Sequence, residues 1–139
     1  TPWTPLPRAV AWDAVGDGAG VRGLQILGPS SDLLWRNAGY VRAGAGASIE
    51  YTLSTLVSFV QEYGDDNLVL VVLGDHQPAT IVSGPGASHD VPITIIAKDP
   101  AVMDRVASWG WAEGMRPEPT AVVEPMDSFR DRFLTTFAK

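Results

Sequence analysis

At 139 residues the chain suits one domain with one core, and 45% hydrophobic content with five tryptophans fits a folded chain rather than a disordered one. A net charge of −6 with no basic stripe excludes nucleic acid as a partner, and the lack of cysteine excludes disulfides, thiolate metal sites and cysteine nucleophiles. No apolar stretch approaches the length of a membrane span, and the N-terminus does not read as a signal peptide.

Residues 1–46 read as an irregular lead-in rich in Gly and Pro, followed by an α/β core over 47–139. Pro2, Pro5 and Pro7 exclude a helix interior and a central strand. A short strand is expected at Leu24–Leu27, and Asp32 is a candidate cap for a short helix over Leu33–Arg36 anchored by Trp35. Thr1-Pro2-Trp3 reads as the start of a piece cut from something longer.

The clearest helix is expected from about Ser48, its N-cap, to Tyr63, with Gly64 as the stop. Ile49, Leu53, Leu56, Val57 and Val60 fall on one stripe with the period of a helix lying on a core. Asp65-Asp66-Asn67 then turns into a strand over Leu68–Leu73, apolar on both faces as in the middle of a parallel sheet covered by helices. A second strand follows at Ile93–Ile96. Asp99 and Pro100 read as the cap and first residue of a helix over Ala101–Trp109. A final helix is expected from about Asp127, with Phe129, Phe133, Leu134 and Phe137 inward and Arg130, Asp131 and Arg132 outward. This order, without hairpin signals, predicts a layered α/β architecture, a sheet with helices on its faces.

Both histidines fall between the two strands. Asp75 and His76 follow Gly74 where the first strand emerges, and His89 stands just before the second. Ligands and catalytic groups gather at the carboxyl ends of strands in open α/β sheets. Adjacent side chains in a strand point to opposite faces, so Asp75 and His76 can share an ion only where the strand has ended, and Gly74 supplies the turning freedom. Imidazole with carboxylate suits zinc, manganese or iron. His89 joins the site if the loop Gln77–Ser88 folds back, which Gly84-Pro85-Gly86 makes easy. The competing reading is a hydrogen-bonded loop with His89 at the surface. An acidic surface repels anionic substrates unless a cation intervenes.

Other motifs carry less. Ser88 beside His89 suggests a nucleophile and base, but no third orienting group is evident. Asp13 and Asp17 resemble the start of a calcium loop without its terminal acidic ligand, and read as turn formers. Gly44-Ala45-Gly46-Ala47-Ser48 resembles a phosphate loop but has no preceding strand and no lysine, and reads as a flexible lead-in to the helix. Trp109 and Trp111, flanking Gly110, read as packing residues.

A helix of the type Ser48-Ile49-Glu50-Tyr51-Thr52-Leu53, then a strand ending in Asp75-His76, then His89-Asp90-Val91-Pro92, resembles the C-terminal part of the alkaline phosphatase-like superfamily. That superfamily includes sulfatases, phosphodiesterases and lipoteichoic-acid-synthase-like enzymes, and the likeness is strongest to membrane-anchored sulfatase-like proteins of actinobacteria. The arginine-rich basic set, with only Lys98 and Lys139 as lysines, fits a GC-rich genome. One extra residue separates His89 from Val91-Pro92 relative to the family pattern.

The resemblance implies a divalent metal (Mn, Zn or Ca) held by Asp75 and His76. His89 would ligate a second metal or hold the substrate anion. It implies an anionic phosphate- or sulfate-ester substrate, hydrolysis or phosphoglycerol-type transfer, and an extracytoplasmic location on the outer face of the membrane. The catalytic nucleophile belongs to the family's N-terminal half, so this chain is expected to be inactive alone and to partner that half, with a homo-oligomer also open. The alternative is a non-catalytic α/β binding or interaction domain with structural histidines.

Overall fold

A computed structural model describes residues 11–16 and 35–138. The expected strand at Leu24–Leu27, Asp17, and Asp32 with Leu33 and Leu34 of its short helix lie outside them; Trp35 is helical and exposed. The fold is mixed α/β. The described residues fall into two compact units, one within 1–63 and 78–87, the other within 64–77 and 88–139.

The first unit is built on helix α1, Ala38–Tyr63. It begins at Ala38 rather than at Ser48, so residues 38–46 are not an irregular lead-in. The reason is Asn37, whose Oδ1 accepts from the amides of Gly39 (2.8 Å) and Tyr40 (3.4 Å) and satisfies donors the first turn leaves open. The run Gly44–Ser48 is therefore helical, and Ser48 donates to the Gly44 carbonyl instead of capping. At the far end the 3-10 turn Trp12–Ala14 docks on α1: Trp12 meets Phe59 and Tyr63 edge-on and donates to Ser58 Oγ at 3.1 Å. Helix α2, the single turn Thr80–Ser83, is tied to α1 by Arg42 Nε donating to the Ile81 carbonyl at 3.0 Å. The expected inward stripe divides: Leu56 and Val60 are half-buried, while Ile49, Leu53 and Val57 are exposed.

In the second unit, strands β1 (Val69–Leu73) and β2 (Ile93–Ala97) pair antiparallel, with Val71 opposite Ile95. The parallel arrangement expected for β1 is thus not the one formed between these strands. Parallel pairing needs a crossover, usually a helix that packs on the sheet; the connection between these strands is long enough, but its one helix is the single turn of α2. The register puts Val71 and Ile95 on one face, which packs on helix α3 (Pro100–Val106), the 3-10 turn Ala107–Trp109 and helix α4 (Met126–Phe137). Ile95, Val106 and Trp109 are its buried centre, with Trp111, Phe129, Phe133 and Phe137 packed around them.

Asp99 caps α3 as expected, accepting from the Ala101 amide at 2.9 Å. Trp109 meets Trp111 edge-on at 5.1 Å, so both tryptophans pack, as expected. Leu134 departs from the expected inward set and is 59% exposed. Arg132 departs in the other sense: its guanidinium lies over the Trp109 ring, 4.6 Å from the centroid, and pairs with Glu124.

Candidate functional site

Strand β1 ends at Leu73, but pairing with the partner segment continues. The Gly74 amide donates to the Pro92 carbonyl at 3.1 Å, and the Gln77 side-chain amide donates to the Asp90 carbonyl at 2.7 Å. The segment after β1 therefore runs beside the segment before β2, and both histidine-bearing stretches reach the same end of the ladder. Gly74 was expected to supply a turn. Its φ is not positive, and what it supplies is room: a Cβ there would stand 3.3 Å from the Cβ of Val91.

Past the strand end, Asp75 and His76 are open to solvent, their side chains 89% and 76% exposed. The His76 amide donates back to Asp75 Oδ1 at 3.0 Å, fixing the carboxylate over the following residue. His76 Nδ1 lies 2.8 Å from the Gln77 carbonyl. A carbonyl oxygen only accepts, so Nδ1 carries the hydrogen in this bond. In the neutral imidazole the lone pair then lies on Nε2, which stands 3.6 Å from Asp75 Oδ2. Both atoms are open to solvent, and water or a metal ion can stand between them. Donors bound at about 2.1 Å around a tetrahedral ion stand roughly 3.4 Å apart. The separation in this loop fits that requirement.

His89 is exposed and sits between two residues bonded to each other. Ser88 Oγ donates to Asp90 Oδ2 at 2.6 Å, and the Asp90 amide donates to Ser88 Oγ at 3.0 Å. This bond turns the Ser88 hydroxyl toward a carboxylate rather than an imidazole. Among the described residues no three His, Asp or Glu side chains come close enough to hold one ion. The fold thus sets the Asp75 carboxylate beside the His76 imidazole and brings the backbone of His89 alongside.

Asp13 lies in the 3-10 turn against α1, and Gly44–Ser48 offers no loop to cradle a phosphate. Sequence reasoning missed Gln77, whose bond to Asp90 has no signature in spacing. The Ser88-His89-Asp90 turn was visible in principle, since Ser and Asp two residues apart commonly bond across a turn.

Comparison with family models, with curated proteins and with solved structures finds no match.

Proposed function

We propose that the chain is the C-terminal part of a metal-dependent enzyme of the alkaline phosphatase-like superfamily, of the sulfatase type, within a larger layered α/β sheet. Asp75 and His76 ligate a divalent metal, and His89 holds a second ion or the substrate anion. The metal would neutralise the oxygens of a transferring phosphoryl or sulfuryl group and lower the pKa of a nucleophile supplied by the N-terminal half of the enzyme. The substrate is an anionic phosphate or sulfate ester, met on the outer face of the membrane. No helix among the described residues is long and apolar enough to cross a membrane.

The observation that carries this reading is the geometry of His76. Metal-ligating histidines hold their other ring N–H against a carbonyl or carboxylate, which fixes the tautomer and aims the free nitrogen. His76 does this through the Gln77 carbonyl at 2.8 Å, leaving Nε2 facing Asp75 Oδ2 at 3.6 Å. A packing role for His76 is disfavoured, because a side chain 76% exposed contributes little packing.

Thermal melting with metal tests the reading. Manganese or zinc at about 100 times its dissociation constant should add roughly 2.7 kcal/mol to stability. Asp75→Ala and His76→Ala should each abolish the rise in melting temperature. A melting curve indifferent to both metals would sink the proposal. The enzyme containing both halves should cleave p-nitrophenyl phosphate or sulfate.

One observation favours a second reading, an interaction domain. Ile49, Leu53 and Val57 leave an apolar face of α1 uncovered among the described residues, at 56%, 41% and 55% exposure. Under this reading metal leaves the melting curve unchanged while Leu53→Glu disrupts assembly.

A further inference from the structure

Gln77 stands between the two histidine-bearing segments and uses both halves of itself. Its main-chain carbonyl accepts from His76 Nδ1 at 2.8 Å, and its side-chain amide donates to the Asp90 carbonyl at 2.7 Å. Asp90 is bonded to Ser88 in both directions, so His89 sits in a turn whose far end Gln77 holds. Two fastenings, Gly74 to Pro92 and Gln77 to Asp90, therefore fix one segment against the other. Asp75, His76, His89 and Asp90 are all exposed, whereas Gln77 is half-buried. The bond ends on exposed Asp90, so its loss costs little global stability and its weight falls on the local geometry of the loop.

We propose that Gln77 is the positioning residue of this site: it steadies the imidazole of His76 and registers the His89 turn beside it. The role rests on the reading of Asp75 and His76 as metal ligands. The carbonyl that accepts from His76 is main chain and survives any substitution at position 77. A substitution removes the tie to Asp90, and with it the constraint that keeps this carbonyl in place. Loss of such outer support typically lowers metal affinity 10- to 100-fold.

Gln77→Glu is the diagnostic variant, with Gln77→Ala beside it, both in the full chain. The glutamate is nearly isosteric, loses the N–H donor, and adds a negative charge that by attraction alone would tighten cation binding. With Mn²⁺ followed by electron paramagnetic resonance, both variants should bind about tenfold more weakly or worse. The melting temperature of the metal-free chain should stay that of the parent, which a merely structural role would move. In metal-free hydrogen exchange, the Gly74 and Asp90 amides should exchange faster in both variants, while Val71 and Ile95 inside the ladder keep their protection. Manganese binding by Gln77→Glu as tight as the parent's, with the parent binding normally, overturns the positioning role alone. If the parent binds no manganese, the metal reading falls and the positioning role falls with it.

Discussion

The Gly74 amide donates to the carbonyl of Pro92 at 3.1 Å, carrying the antiparallel pairing one step past Leu73 and Ile93. The step requires the two chains to approach so closely that a Cβ on Gly74 would meet Val91 Cβ at 3.3 Å, Val91 Cγ1 at 3.5 Å and Pro92 Cδ at 3.7 Å. Val91 is β-branched and precedes a proline, so neither its rotamer nor its backbone yields freely. Gly74→Ala should cost about 1 kcal/mol, and Gly74→Leu about 1–3 kcal/mol, as overpacking does. Urea denaturation measures both, and an unchanged midpoint for Gly74→Leu would show that the approach is not tight.

The long helix α1 carries a correctable weakness. Gly46 lies in its interior, and a Cβ there would meet nothing within 4 Å. Alanine is favoured over glycine in a helix interior by about 1 kcal/mol, chiefly through the entropy of the unfolded chain. Gly46→Ala should therefore raise stability by up to about 1 kcal/mol. Asn37→Ala should lower it by a similar amount, because the Gly39 and Tyr40 amides lose their acceptor. Circular dichroism during thermal melting should show opposite shifts for the two variants.

Arg132 covers Trp109 at 4.6 Å while reaching Glu124, and its side chain is only 28% exposed. The cation on the ring and the stem over apolar surface both contribute. Arg132→Ala should cost about 1–2 kcal/mol. Arg132→Met keeps the stem and should recover part of the loss, and Arg132→Lys should recover part through its charge without the flat stacking of a guanidinium. Tryptophan fluorescence during urea unfolding reads all three. Equal stability of parent and Arg132→Ala would mean that Trp109 needs no cover.

The elements legible in the sequence are those fixed by local rules. The bounds of β1 and β2, the Asp99-Pro100 start of α3 and the start of α4 all follow from short-range patterns. The aromatic stripe of α4 was visible for the same reason, since phenylalanines at 129, 133 and 137 repeat with the helical period. What failed depended on competition between signals. Ser48 looked like a cap because glycines preceded it, but Asn37 satisfied the first-turn amides earlier and the chain continued helical through Gly44 and Gly46. The apolar strands suggested parallel neighbours, although nothing in a strand's composition specifies the direction of its partner. In the candidate site, the position of Asp75 and His76 just past the end of a strand was legible. Gln77 was not, because its role arises only when the loop returns to Asp90.

The bond from Ser88 to Asp90 decides between two uses of the Ser88-His89 pair. A serine nucleophile needs its hydroxyl proton directed at a base that a third group orients, as histidine is in hydrolases. Here Ser88 Oγ donates to Asp90 Oδ2 at 2.6 Å and accepts from the Asp90 amide at 3.0 Å, so the hydroxyl closes a turn. Ser88→Ala should cost less than about 1 kcal/mol globally, since both groups are exposed and water replaces the bonds. Its effect should be local: the Asp90 amide loses its acceptor and exchanges faster, and Ser88→Thr, which keeps a hydroxyl, restores the protection. The same geometry predicts that Ser88 resists labelling by an organophosphorus fluoride. Mass spectrometry finding the label on Ser88 would reverse the assignment and make the turn part of a nucleophilic centre.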